Sequence, residues 1–470
     1  MNCMKKILAL VLLATTAWAN VTLPSVLNSN MVLQQQTEIM IWGWADPTEK
    51  VTVSASWESQ PVSTTCADNA IWKVSLRTPK AGGPYTITIN GYNKVELTNI
   101  LIGEVWLCSG QSNMEMTASG GAKDARAESP TAFNANMRFF KIPKRAADSP
   151  QVDVRGNWAV CDSLTMKYFS AVGYFFGKKL QNTLNVPIGL IDMSWGGSFM
   201  DSWVPEPIAM LYPETRRSAQ TMPKAPWAPN KPGVLYNGMA APITSFPIAG
   251  VIWYQGEANR HDAPAYHKLT HALVDAWRGV WQKDFPFYYV QIAPYTYGDK
   301  YQTAATRESQ TKAMDIPKSG MIVTTDLVDN LKDIHPAYKK EVGNRLANWA
   351  LAETYGQNVG LYKSPQYRSM QVDGNKIRIT FDNAPNGLIA KGADIAELEI
   401  AEADKVFSKA QARIKGNTLE VWAENIKNPV AVRFAFRDAP VPNLFSKEGL
   451  PVIPFRTDAW DLGLISTPKP

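Results

Sequence analysis

From residue 101 to 358 short apolar runs alternate with stretches of helical periodicity, and this alternation limits the possible folds more than any other feature. The runs at 102–107, 187–192, 248–253, 287–292 and 320–324 read as strands, while helical patterns fill 169–181, 264–281, 302–314 and 337–355. Repeated strand–helix units build a parallel sheet covered by helices on both faces, so the predicted class is α/β with three layers. Such a sheet delivers the sequence that follows its strands to one edge, where ligands bind.

The flanking regions have a different rhythm. Residues 20–100 carry alternating runs such as Ile39-Met40-Ile41-Trp42 and Tyr85-Thr86-Ile87-Thr88-Ile89, punctuated by Asp46-Pro47, Gly82-Gly83 and Asn90-Gly91. That spacing predicts a small β-sandwich. Strand patterns return at 377–381, 398–400, 418–422 and 431–436, predicting a second sandwich-like β region over 359–470. Between 205 and 242 the chain is proline-rich and aperiodic, which inside a compact domain reads as a binding loop.

The strand ends carry the chemistry. Val105-Trp106-Leu107-Cys108 breaks at Ser109-Gly110 and leads into Gln111-Ser112-Asn113-Met114. Ile191-Asp192-Met193 is followed by Ser194-Trp195-Gly196-Gly197-Ser198, and Val251-Ile252-Trp253-Tyr254 by Gln255-Gly256-Glu257-Ala258-Asn259. After the last strand come Asp326, Asp329 and Asp333-Ile334-His335-Pro336. A hydroxyl, an imidazole, carboxylates, glycine N–H groups and two amides at one edge are the inventory of acyl transfer. A serine hydroxyl does not ionise at neutral pH, so attack needs a histidine to take its proton and a carboxylate to orient that histidine. Fixed donors to the oxyanion each lower the barrier by about 3–4 kcal/mol. The Ser112 N–H, an N–H of Gly196 or Gly197, and the amide of Gln255 or Asn259 are the candidates. Plainer roles exist for both reactive residues: Ser112 as a helix cap and His335, before Pro336, as a helix-start residue. A glycoside hydrolase would need two carboxylates facing across a cleft, whereas the acids here gather near one histidine.

With GQSNM (110–114), SWGGS (194–198), WYQGEANR (253–260) and DIHP (333–336) in this order, the chain resembles the sialate O-acetylesterase-like carbohydrate esterases of the SGNH hydrolase superfamily. LPSVLNSNMVLQQ (23–35), LYNGM (235–239) and GLPVIPFRTDAW (449–460) extend the resemblance over nearly the whole chain. The resemblance implies a flavodoxin-like α/β/α domain with Ser112 as nucleophile and His335 as base, flanked by β domains. It also implies deacetylation of sugar hydroxyls without metal or cofactor. The superfamily's usual spacing is Asp-x-x-His, but Lys332 occupies that place here. Asp333 is therefore the first candidate acid, with Asp329, Asp326 and Glu257 behind it. Acetylated sialic acid is the first expected substrate and acetylated xylan or xyloglucan the second; a catalytically silent carbohydrate-binding protein is the rival from another class. Trp203, beside the aperiodic segment, is the candidate sugar platform. Glu257 is a candidate substrate contact, and Arg260 or Arg307 a candidate partner for a sialate carboxylate.

The first residues, with Lys5 and Lys6, an apolar run and Ala17-Trp18-Ala19, read as an export signal cleaved after Ala19. The expected organisation is a leader at 1–19, a β domain at 20–100, the esterase domain at 101–358 and a β region at 359–470, in a periplasmic or secreted protein. No later apolar run is long enough to span a membrane. The formal net charge is +6, two units of it in the leader, and no dense basic block appears. That composition disfavours nucleic acid and membrane surfaces as partners. Cys66, Cys108 and Cys161 follow the leader, an odd number that leaves a thiol unpaired. His267 and His271 have zinc-pair spacing on a predicted helix, but Lys268 stands where a metalloprotease has glutamate. They read as surface residues, and no metal is expected.

Overall fold

The structure, a computed structural model, describes residues 20–464; the predicted leader lies outside the described residues. The alternating N-terminal sequence folds into β1 (Val32–Gln34), β2 (Glu38–Trp44), β3 (Lys50–Ala55), β4 (Val62–Thr65), β5 (Ile71–Arg77) and β6 (Gly82–Asn90). β2 pairs with β5, while β3 pairs with β4 and β6, all antiparallel. Every second side chain of β2, β3 and β5 is buried, and Ile39, Ile41, Val51, Val53, Trp72 and Val74 share one core.

β7 (Lys94–Gly110) joins this region to the next without a break. Its first half pairs antiparallel with β6, and Leu101 to Gly103 pair with β1. Its second half lies at the centre of a sheet ordered β13-β12-β11-β7-β10-β8-β9. The other members are β8 (Asn134–Lys141), β9 (Trp158–Cys161), β10 (Ile188–Ser194), β11 (Gly250–Tyr254), β12 (Phe287–Val290) and β13 (Ser319–Ile322). All these pairs are parallel except β8 with β9. The expected boundary at 100/101 thus falls inside one strand, and the edge strands β8 and β9 add to those anticipated.

Strands β8, β9 and β10 lie on one side of β7 and β11, β12 and β13 on the other, so the winding reverses at the end of β7. That is where an open α/β sheet forms its binding crevice. Helices Ala171–Leu184 and Lys340–Trp349 cover one face, packing Val172, Phe175 and Leu346 against Trp106, Leu190 and Ile252. Helix Tyr266–Trp281 covers the other, with Leu269, Leu273 and Trp277 against Val251, Trp253 and Phe287.

The C-terminal region packs the antiparallel strands Gln366–Asp373, Lys376–Asp382, Thr418–Trp422 and Gln411–Lys415 against a second antiparallel sheet that contains Leu398–Ala401 and Ala431–Phe434. Ile377, Ile379, Leu419 and Val421 meet Leu398, Ile400, Val432 and Phe434 in its own core. Cys66, Cys108 and Cys161 are all buried free thiols. Among the described residues no helix is long and apolar enough to cross a membrane.

Candidate active site

The reactive loop starts where β7 runs against β11. Gly110 has φ +133°, and a Cβ on it would lie 2.2 Å from the Tyr254 carbonyl oxygen, so this point requires glycine. The chain turns through Gln111, and Ser112 begins the short helix Ser112–Glu115. Ser112 is half-buried and lines a cavity of about 560 Å³ together with Glu115, Lys123, Lys141, Asp333 and His335. A larger cavity of about 850 Å³, between β13 and the C-terminal region, contains none of the motif residues from the strand ends.

The buried Asn113 ties the serine and histidine loops together. Its Nδ2 donates to Ile334 O at 3.1 Å and to Glu257 Oε1 at 2.7 Å, and its Oδ1 accepts from Lys339 Nζ at 2.6 Å. The residue after Ser112 therefore holds the residue before His335. Asp333 Oδ1 accepts the His335 backbone N–H at 2.9 Å and stands 3.9 Å from His335 Nδ1. Among the described residues no side-chain hydrogen bond joins Ser112 to His335. Asp326 is held by Arg345 through bonds of 2.8 and 2.6 Å, and Asp329 by Lys123 at 3.0 Å.

Burial lowers the His335 pKa below the ordinary histidine value, and the positive charge of Lys339 adds to this, with Asp333 opposing. The imidazole is accordingly neutral near pH 7, the form a general base requires. Lys339 is itself pushed down to about 8 by burial, against the pull of Glu257 and nearby aspartates. Burial also raises the Glu257 carboxyl, while its bond from Asn113 acts the other way.

Several expected contacts are corrected by the structure. Gln255 and Asn259 are buried, and their amide donors are engaged internally: Gln255 Nε2 with Ser198 O at 3.1 Å and Asn259 Oδ1 at 2.7 Å, Asn259 Nδ2 with Asp201 Oδ2 at 2.7 Å. Both Gln255 Nε2 donors and one Asn259 Nδ2 donor are thus occupied, and neither residue is on the wall of the Ser112 cavity. The Gly196 N–H donates to Glu115 Oε2 at 2.6 Å, and Glu115 Oε1 pairs with Lys144 at 2.6 Å. A Cβ on Gly196 would come 3.4 Å from Ser112 Cβ, so this turn borders the nucleophile. Among the described residues the Ser112 and Gly197 N–H groups make no backbone hydrogen bond.

Trp203 is a core residue, fully buried with its Nε1 bonded to Ser198 Oγ at 2.9 Å, not a sugar platform. Arg307 is also fully buried and donates to the carbonyls of Ile292, Ala293, Arg437 and Asp438, which makes it a strut to the C-terminal region. Arg260 bonds Asp299 at 2.8 Å and stacks 3.3 Å from the Tyr297 ring centre, and Glu257 lies beneath the nucleophile loop. Neither is on the wall of the Ser112 cavity. Sequence reasoning missed Trp227, which is 67% exposed with its ring over Gly197. Its place in the aperiodic segment 205–242 was the available signal.

A hydroxyl and an imidazole on one cavity wall at the carboxyl edge of a doubly wound three-layer α/β/α sheet are the parts a carboxylic ester hydrolase uses, and the comparisons with known proteins give that class. Residues 102–352 match the family model for carbohydrate esterase, sialic acid-specific acetylesterase. The chain is 30% identical over 402 residues to the sialate O-acetylesterase of Homo sapiens, covering 75% of this chain and 74% of that protein. It is 28% identical over 423 residues to that of Mus musculus, covering 76% and 78%. The crystal structure of a carbohydrate acetylesterase from Xanthomonas citri superposes with a TM-score of 0.87 at 34% identity, over 94% of this chain and 100% of that one. The chain belongs to the sialic acid-specific acetylesterase family of carbohydrate esterases.

Proposed function

We propose that Ser112 attacks the acetyl carbonyl of an O-acetylated sialic acid, with His335 as general base and Asp333 as the carboxylate that orients it. The reading rests on one observation: Ser112 and His335 share the wall of one open cavity, with their loops braced by Asn113. His335 takes the Ser112 Oγ proton as the new C–O bond forms and returns it to the departing sugar oxygen. Water then attacks the acetyl-serine as His335 accepts its proton; the imidazolium returns that proton to Ser112 Oγ as the acyl C–Oγ bond breaks, and acetate leaves with the serine and neutral histidine restored. The N–H groups of Ser112 and Gly197 face the oxyanion. Catalytic hydrogen bonds in ligand-free enzymes are often long and tighten with substrate, and the 3.9 Å between Asp333 and His335 fits that behaviour.

The sialate reading is supported by the family match and the sialate O-acetylesterase relatives. Lys123 and Lys141 line the cavity but already pair with Asp329 at 3.0 Å and Asp192 at 3.6 Å, so a sialate carboxylate would share them with these acids. The exposed Trp227 beside Gly197 favours a second reading, in which an extended acetylated polysaccharide such as xylan or xyloglucan stacks on the ring. Acetate release from 9-O-acetyl sialic acid, acetylated xylan and acetylated xyloglucan, with Ser112→Ala as the blank, separates the two. At least tenfold higher kcat/KM on the sialic acid supports the first reading, and the reverse order supports the second. Lys5, Lys6, the apolar run and Ala17-Trp18-Ala19 support export. Amino-terminal sequencing of the extracytoplasmic protein, expected to begin at Asn20, tests this.

A further inference from the structure

Two histidines that the esterase site does not use lie four residues apart on one face of helix Tyr266–Trp281. Both turn to a single carboxylate. His271 Nε2 is 2.8 Å from Asp315 Oδ1, His267 Nε2 is 3.0 Å from Asp315 Oδ2, and the rings stand 5.0 Å apart at 78°. Asp315 comes from a different element, the turn Ala313–Asp315 that leads into β13. The helix spacing supplies two candidate ligands, and folding adds the third.

One ligand atom from each residue lies within 4.8 Å of the others. Ligand atoms around a tetrahedral zinc with bonds of about 2.0–2.2 Å are separated by about 3.3 Å, so small side-chain adjustments complete the set. Nearby cations have other partners: Lys268 lies 4.0 Å over Tyr212, Lys318 pairs with Asp284 at 2.7 Å and Lys312 with Glu308 at 3.4 Å. Among the described residues Asp315 forms ion pairs with the two imidazoles alone. Two nitrogen donors and one oxygen select a zinc-class ion over magnesium or calcium.

We propose that His267, His271 and Asp315 bind one divalent cation of the zinc class and thereby pin helix Tyr266–Trp281 to the turn before the edge strand β13. Each imidazole binds through Nε2 in its neutral Nδ1–H form, and water fills the fourth position on the solvent side. None of the three residues lines the Ser112 cavity, so the ion is structural and takes no part in ester cleavage.

Zinc chloride titrated by calorimetry into the untagged, EDTA-stripped chain tests this, alongside thermal unfolding and the visible spectrum of the cobalt form. The expected result is one saturable zinc per chain, a Tm raised by about a few degrees, and a tetrahedral cobalt band. Binding should weaken at least tenfold in His271→Ala and in Asp315→Asn, while p-nitrophenyl acetate hydrolysis stays the same with and without zinc. Absence of saturable one-to-one binding at millimolar zinc overturns the proposal. So does unchanged binding in both variants, or esterase activity that disappears on stripping.

Discussion

The Gly196 backbone N–H donates to Glu115 Oε2 at 2.6 Å, three residues beyond the nucleophile, and Lys144 holds the other oxygen of the same carboxylate. Glu115 thereby fixes the Gly196–Gly197 turn that borders Ser112 and that the proposed mechanism uses for an oxyanion donor. Glu115→Ala frees that turn and should lower kcat on p-nitrophenyl acetate by about 10- to 100-fold, the scale of one misplaced oxyanion donor. Glu115→Gln keeps an acceptor for the Gly196 N–H and should retain most of the activity. Steady-state kinetics of the two variants check the difference.

The pH profile follows from His335. Burial and the Lys339 charge hold its pKa below the ordinary histidine value. The base works unprotonated, so kcat/KM should fall as pH drops through a midpoint below that value. Lys339→Met removes the nearby positive charge and should move this acidic limb to higher pH. A limb that stays in place would show that Lys339 does not act on the histidine.

Asp333 and Glu257 compete for the role of the orienting acid. Asp333 lies 3.9 Å from His335 Nδ1, whereas among the described residues Glu257 is linked by hydrogen bonds to the histidine loop through Asn113 and the Ile334 carbonyl. Asp333→Asn should therefore reduce kcat by about 10- to 100-fold with little effect on Tm, less than the loss seen for a tightly bonded triad aspartate. Glu257→Gln should lower Tm as well, because a buried hydrogen-bonded group is altered. Full activity in Asp333→Asn with collapse in Glu257→Gln would reassign the acid.

Arg307 bridges the esterase domain and the C-terminal carbonyls of Arg437 and Asp438. Arg307→Met leaves the buried carbonyls of Ile292 and Ala293 without this partner as well and should destabilise the protein by about 3 kcal/mol or more. KM for the acetylated sugar should not change in the fraction that remains folded. Calorimetric Tm and KM measured together separate this strut from a substrate contact.

Trp227→Ala should raise KM for acetylated carbohydrate by about tenfold, the loss of one aromatic contact, while p-nitrophenyl acetate, which has no sugar to stack, is turned over as before. Paired kinetics on the two substrates check it.

Particular residues show what the sequence disclosed. That the Ser112 and His335 loops meet at one cavity was legible because an apolar run ending in glycine and polar residues marks the carboxyl edge of a parallel strand. Sequence patterning placed a boundary at 100/101, where burial along β7 changes from partly exposed over Lys94 to Asn99 to continuous from Ile100 onward, but gave no sign that the backbone runs straight through as one strand. Four-residue β9 and the polar start of β8 give too little periodicity to announce an edge pair. The amides of Gln255 and Asn259 sit in the right motif, but the direction of a donor depends on Ser198 and Asp201, which only the fold brings near. Likewise nothing local distinguishes the buried Trp203 from the exposed Trp227; distant packing decides.

The central claim is that a single hydroxyl, Ser112, receives the acetyl group while His335 accepts its proton. The most direct measurement is kcat/KM of Ser112→Ala on p-nitrophenyl acetate and on 9-O-acetyl sialic acid, with folding verified by an unchanged Tm. A fall of about 10⁴-fold or more on both substrates is predicted. Activity within tenfold of the parent chain on either substrate would contradict the account.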